Sequence, residues 1–476
     1  MFLTLLFGLV FFLFRNAFSI NFLADDYFFL KIGRAETVSE FINFFSPVKN
    51  YFYRPLATEV FYWITHLAGN NLAVSHLVVF AVYLLGIFFL YRSLILITKS
   101  KSLSGIVTFI YAINFTHVFQ LYYFGTFQEV AMFSFLAGAF FHFLNKKQVL
   151  SVLFFTLALM SKETSIFFPV FIFIFQFLSS RKLKAPLDWP RLLPYFALGI
   201  FFTFVYRNGL GATASVDNYK LNINPRMAAN NIIWYSLWSL GLPNYMPDYM
   251  TSLFRPPIKE FWKVFRNFPE TKIYFGLLAF YLTVFSGSLI AYMLNKSKRL
   301  KEIGPMVVFS VAGFLIFIIP VSFFSHKWMV RLTVPLAFVS LFQGYVIFKF
   351  FVENGVFRKA AYLLLIVNFF VNLIGIKIHE SSSTFFLESR ISDHLRSVVN
   401  ANRKEIGEKK YIYFRDIALK DYNPWGQSKH LKTALGDQNF IDLYFPKSDI
   451  KAIYGFEQKN IPEGAFIINS LDLLKP

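Results

Sequence analysis

Residues 72–98 read LAVSHLVVFAVYLLGIFFLYRSLILIT, a stretch whose single full charge is Arg92. Wound as a helix at about 1.5 Å per residue, a run this long and apolar crosses the ~30 Å hydrocarbon core of a bilayer. Comparable runs lie outward from it at 102–120, 124–144, 148–161, 164–180 and 192–207. After a long, more polar interval they resume at 272–294, 304–324, 328–351 and 360–378. Met1–Ile20 is apolar except for Arg15 and Asn16. It lacks the basic start and small-residue cleavage site of a signal peptide, and reads as a first spanning helix. The expected fold is an all-α polytopic membrane protein with about eleven transmembrane helices.

Composition agrees. The chain is 56% hydrophobic and 16% charged, with mean hydropathy +0.50, whereas soluble domains run near ~45–50% and ~25%. Cysteine is absent, which excludes disulfides, thiolate metal sites and a cysteine nucleophile. The net charge is +20, and residues 379–476 hold 14 of the 47 Lys/Arg and 13 of the 27 Asp/Glu, so nearly all the excess belongs to residues 1–378. Basic loops of a membrane domain account for it, which makes nucleic-acid binding a poor reading.

The short basic loops are Arg92/Lys99/Lys101, Lys146/Lys147, Arg181/Lys182/Lys184/Arg191, Lys296/Lys298/Arg299/Lys301 and Arg358/Lys359. With eleven helices all five fall on one side, which the positive-inside rule makes cytoplasmic. The N-terminus is then inside. Outer loop 21–71, the long outer loop 208–271 and a C-terminal domain, 379–476, face outside across a plasma membrane. Ala228–Leu242 is too short and polar to span comfortably and reads as an interfacial or re-entrant helix. In the tail, Ser389–Asn400 and Ser428–Leu443 have helical patterns, and 410–414 (KYIYF) and 465–469 (AFIIN) read as strands: a small α/β domain.

Polar groups collect at the expected outer face. Asp25 and Asp26 stand where the first helix ends. Adjacent carboxylates at an apolar edge repel, and such a pair serves as a base with a partner, or as a metal site, or simply caps the next helix. Tyr53-Arg54-Pro55-Leu56 leads into another helical stretch, with Pro55 suited to its first turn. A cation at a helix start opposes the dipole, so Arg54 is poorly placed for helix stability and well placed to grip a phosphate, or a lipid headgroup. Ser161-Lys162-Glu163-Thr164 wedges two charges between apolar segments, facing a polar cavity or water at a tight turn. His326, Lys327 and Arg331 form a cationic rim beside Trp328, or an ordinary interfacial anchor. Gln128 and Glu129 begin a helix at the same face, Glu129 being the weaker candidate because acids are common there.

An acidic pair after the first helix, YRPL about 28 residues on, and SKE after the fifth helix together resemble the C-type (GT-C) glycosyltransferases. The likeness is to the protein O-mannosyltransferase and tetratricopeptide-linked O-mannosyltransferase branch and, more distantly, to the lipid A aminoarabinose transferase. It covers residues 1–350 in layout, and only Asp25–Asp26, Tyr53–Leu56 and Ser161–Glu163 in motif.

The resemblance implies transfer of a sugar from a polyprenyl-phosphate donor to an acceptor hydroxyl on the non-cytoplasmic face, with inversion. It implies Asp25 as base, Asp26 as its partner or an acceptor ligand, Arg54 and Lys162 on the donor phosphate, Glu163 holding Lys162 or Arg54 in place, and Tyr53 in support. His326 and Arg331 match no family motif; topology alone proposes them for the phosphate, and Glu129 is a supporting candidate. Some members of the superfamily hold a divalent metal between outer-loop acids; with Asp25 and Asp26 the obvious pair, metal-independent catalysis is favoured and no cofactor is required. Where many O-mannosyltransferases have Asp-Glu this chain has Asp-Asp, and neither a β-trefoil nor a tetratricopeptide array is recognisable. Glycan, lipid and protein acceptors therefore stay open. The other readings are a lipid-linked glycan flippase or transporter, which one-sided charges and the lack of an internal repeat disfavour, and a non-enzymatic assembly subunit.

Overall fold

The structure is a computed structural model that describes residues 1–49, 51–183, 186–213, 222–250, 255–294, 297–352, 358–417, 426–446 and 448–474. The basic clusters at 181–184 and 296–301 lie outside the residues whose side chains are described. Among the described residues, seven helices are long and apolar enough to cross a membrane: Leu72–Thr98, Phe124–Leu144, Glu163–Ser180, Pro269–Ile290, Gly304–Ser322, Pro335–Val352 and Arg358–Ser382. Lys101–Ala112 and Phe115–Tyr122 form an eighth if the bent pair is one span.

The differences from the expected eleven have local causes. The helix over 1–20 stops at Leu13, and a 3-10 turn over Arg15–Ser19 takes over at the first charged residue. Phe2–Leu13 and Gln148–Leu159 are each 12 residues, only ~18 Å of rise. The segment 102–120 breaks after Ala112 and bends by 46°. There the Asn114 side chain accepts from Thr116 N–H, and Phe115 N–H donates to Asn372 Oδ1 at 3.0 Å. Side chains thus take bonds a continuous helix would make within its backbone. The segment 328–351 begins as a 3-10 turn, Met329–Leu332, and becomes regular only at Pro335, the first residue of its helix. Trp189–Thr213 is a 25-residue helix with Pro194 inside it. The segment read as interfacial is a helix, Pro225–Ser239, capped by the Asn224 side chain.

The boundary at 378 falls inside the helix Arg358–Ser382. Beyond it the chain folds as the expected α/β unit, a three-stranded parallel sheet of β1 (Tyr411–Arg415), β2 (Lys451–Tyr454) and β3 (Phe466–Asn469) in the order β2-β1-β3. The pattern Ser428–Leu443 divides into Ser428–Ala434 and Asn439–Tyr444, separated by Gly436 and Asp437 with φ of +60° and +59°.

This unit is docked on the loop after the first helix. Ala24 N–H donates to Ala434 O at 2.8 Å. Asn21 N–H donates to Ser389 Oγ at 2.8 Å, and Arg396 Nη2 to Asn21 Oδ1 at 2.9 Å. Lys31 pairs with Asp442 at 2.5 Å, and the Tyr27 and Phe440 rings pack edge to face.

Candidate functional site

The helix after Arg54 opens with a single π-type segment, Pro55–Val60, before turning regular over Phe61–Leu67. Arg54 is its N-cap, in a non-helical conformation (φ −142°, ψ 53°), so its side chain leaves the helix axis. The approach to it is pinned by a buried Lys49–Glu59 ion pair, with Tyr51 OH donating to the same Glu59 oxygen at 3.0 Å. Leu56 N–H donates to Met160 O at 3.2 Å, tying this element to the SKE segment.

Lys162 is extended (φ −160°, ψ 140°) between the helix Gln148–Leu159 and a 3-10 turn, Glu163–Phe167. The two neighbouring side chains reach different partners. Glu163 receives the Arg54 fork: Nε to Oε2 and Nη2 to Oε1, both at 2.8 Å. Lys162 Nζ meets Glu129 Oε1 at 2.6 Å, with both residues buried. Arg54 Nη1 also donates to Gln128 Oε1, and its guanidinium lies over the Phe52 ring, 4.2 Å from the centroid.

These residues wall a cavity of about 270 Å³. Arg54, Lys162 and Arg331 supply three cations to it and Glu129 and Glu163 two carboxylates, which leaves one net positive charge. Ile166, Phe167, Val321 and Phe324 make much of the remaining wall apolar. Arg331 is held there by backbone: Nη1 donates to His326 O at 2.7 Å and to Val321 O at 3.3 Å.

Not every sequence candidate reaches the cavity. His326 is exposed, and its carbonyl rather than its ring takes part, by steadying Arg331. Tyr53 is buried behind the wall, its OH donating to Phe45 O at 3.2 Å and its ring beside Tyr206, which does line the cavity. Asp26 is fully buried: Oδ2 accepts from Leu23 N–H at 2.9 Å and Oδ1 from Tyr62 OH at 2.6 Å. Both its oxygens are engaged in holding the turn, so of the acidic pair only Asp25 is presented to a ligand. Burial pushes the Asp26 carboxyl well above its ordinary pKa.

Asp25 lies off the cavity wall, on the side where Tyr123 and the C-terminal domain meet. Its backbone N–H donates to Tyr123 OH at 3.2 Å, and the Tyr123 ring lies 6.4 Å from that of Trp328, a cavity residue. Asp25 keeps an exposed surface although protein crowds it from several sides. That crowding raises its pKa; a Tyr123 hydrogen bond and the Arg54 charge pull it back, and Glu388 of the C-terminal domain adds to the rise. The residue before it, Ala24, adopts φ +49°, a conformation that costs about 1–3 kcal/mol and is held by the bond to Ala434.

Tyr123, Tyr206 and Glu388 belong to no motif that the sequence offers, and Glu388 falls just before the helical pattern read over Ser389–Asn400. Among the described residues no group of three His, Asp or Glu is placed to hold a metal ion. No protein-family model matches the chain, and no curated protein matches it.

Proposed function

We propose that the chain is a membrane glycosyltransferase that moves a sugar from a polyprenyl-phosphate donor to an acceptor hydroxyl on the non-cytoplasmic side. The observation that carries this reading is the cavity with three cations from separate segments, Arg54, Lys162 and Arg331, above apolar walls. One net positive charge complements the single negative charge of a phosphodiester, and the apolar walls suit an isoprenoid tail. The eleven-crossing arrangement, with its basic loops in the cytoplasm, belongs to this proposal.

In the proposed reaction the acceptor oxygen attacks the anomeric carbon from the face opposite the phosphate. The C–O bond to phosphate breaks, its electron pair leaves on the polyprenyl phosphate, and the acceptor proton passes to Asp25. Donors fixed before the reaction stabilise the growing phosphate charge without reorganising, which makes them effective in a water-poor site. Arg54 is fixed by Glu163, Gln128 and Phe52; Arg331 is fixed by carbonyls. A carboxylate whose pKa is raised toward the working pH is a better proton acceptor than an ordinary one. Asp26 acts at one remove, by holding the turn that presents Asp25.

The test uses purified full-length protein in detergent, with polyprenyl-phosphate hexoses and pentoses as donors. The glycan, lipid and protein fractions of cells lacking the chain serve as acceptors. Transfer without a sealed compartment supports an enzyme. Sugar movement only in sealed vesicles, with no covalent product, supports the transporter reading instead.

A further inference from the structure

The C-terminal domain presents a carboxylate to the proposed site. Its helix Phe385–Ala401 packs against the membrane domain where Asp25 emerges: the Phe385 ring lies 5.6 Å from that of Tyr123, and Ser389 takes the Asn21 N–H. Glu388 lies between these contacts, one turn beyond Phe385, and is only 7% exposed. It is near enough to Asp25 for the two charges to repel. His430, on the neighbouring helix, brings Nε2 to 3.7 Å from Glu388 Oε1, too long for a hydrogen bond, and that nitrogen bonds no described residue.

A contact that merely glued two domains together would set opposite charges or apolar groups against each other. Two carboxylates facing across a domain junction cost stability unless donors come between them. Asp25 is faced by Arg54 and Tyr123 from the membrane domain, by Glu388 from the tail, and by Asp26 on its own helix. The donors that face Asp25 belong to the membrane domain, and hydroxyl groups of a ligand set between Asp25 and Glu388 would satisfy both acids.

We propose that Glu388, beside His430, is an acceptor-positioning residue of the transfer site, and that the acceptor is a saccharide whose adjacent hydroxyls bridge Asp25 and Glu388. The inference rests on the transferase reading. On it, the C-terminal domain closes the acceptor side of a site whose donor side lies in the membrane domain. A lone serine or threonine hydroxyl engages only one of the two acids.

The test compares wild type with Glu388→Gln, Glu388→Asp and His430→Gln as full-length proteins, by the same transfer measurement. The glycan fraction is expected to be the substrate. In Glu388→Gln its half-saturating concentration should rise about tenfold, with the donor's unchanged, and Glu388→Asp should recover part of the loss. Without the Glu388 charge the Asp25 carboxyl ionises more easily, so the acid limb of the pH–rate profile should move to lower pH. Binding of polyprenyl phosphate, read by native mass spectrometry, should be unchanged in every variant. Loss of that binding in Glu388→Gln and His430→Gln alike would show a structural role and overturn the proposal. So would an unchanged acceptor dependence and acid limb in Glu388→Gln, or transfer only to the protein fraction. If Asp25→Asn transfers as wild type does, the transferase reading itself falls, which is a separate result.

Discussion

Arg54 grips Glu163 through two parallel hydrogen bonds of 2.8 Å, joining residues 109 positions apart in the chain. The fork fixes the guanidinium plane while Gln128 occupies Nη1, so Arg54 meets a ligand already oriented. A lysine has the charge without the fork. Arg54→Lys is expected to lower transfer by about 10²-fold or more, on the scale of losing one oriented donor, while leaving insertion and expression intact. Steady-state rates in matched membranes check it, and a loss under threefold argues against preorganisation as the role of Arg54.

Asp25→Asn should remove the base and cost about 10²–10⁴-fold in rate. The pH dependence has a definite sign. A carboxyl with a raised pKa stays protonated to higher pH, and only the ionised form accepts a proton. The rate should therefore begin to fall on the acid side at a pH above the ordinary aspartate value of about 3.9. A pH–rate profile flat down to that value in the wild type contradicts the assignment.

Asp26→Ala tests whether the second acid is structural. It strands Leu23 N–H and Tyr62 OH in the interior, a cost of about 1–3 kcal/mol for each buried unsatisfied group. Thermal unfolding in detergent should show a clear drop in Tm, whereas Asp25→Asn, at an exposed position, should leave Tm nearly unchanged. Equal Tm values for the two variants would mean that the two acids do not differ in structural role.

The buried Lys162–Glu129 pair predicts a strong coupling. Removing either partner alone leaves an uncompensated buried charge, at a cost of about 3–5 kcal/mol. Lys162→Met and Glu129→Gln singly should each lower Tm, and the double variant should recover much of the loss. Additive effects in that cycle would mean that the pair is not coupled.

Gly436 offers a test of domain docking. A Cβ there would collide with Ala24 O, a backbone atom one residue before Asp25, and Gly436 also has φ +60°. Gly436→Ala should loosen the tail from loop 21–33, raise the rate of limited proteolysis after residue 382, and lower transfer at least tenfold. Unchanged proteolysis and rate would show that the junction tolerates the shift.

The long apolar runs were legible because bilayer thickness imposes a length that composition alone reveals. Arg54 and Lys162 were legible for a related reason: a charge between apolar segments has few tolerable positions. What they pair with was legible only in part: the family likeness left Glu163 to either cation, and nothing pointed Lys162 to Glu129. Arg54 chooses Glu163 and Lys162 chooses Glu129 by where three helices happen to end, and spacing along the chain does not carry that information. Glu129 looked like an ordinary first-turn acid, and Asp26 looked like a partner of Asp25 or an acceptor ligand until the Tyr62 hydroxyl showed it engaged inside the fold. The break at Asn114 depends on Asn372, far away in sequence. Strand β2, KAIY, is too short to alternate recognisably, and Glu388 lies just before the helical pattern read from Ser389, so nothing marked it until the domain was seen against Asp25.

The most direct measurement is mass spectrometry of lipid-linked sugars and cell-envelope glycans in a deletion strain carrying wild type, Asp25→Asn or Arg54→Ala at equal membrane levels. The account predicts that wild type restores a glycosylated product, and that both variants leave the product absent and a polyprenyl-phosphate sugar accumulated. Full restoration of the product by both variants would contradict it.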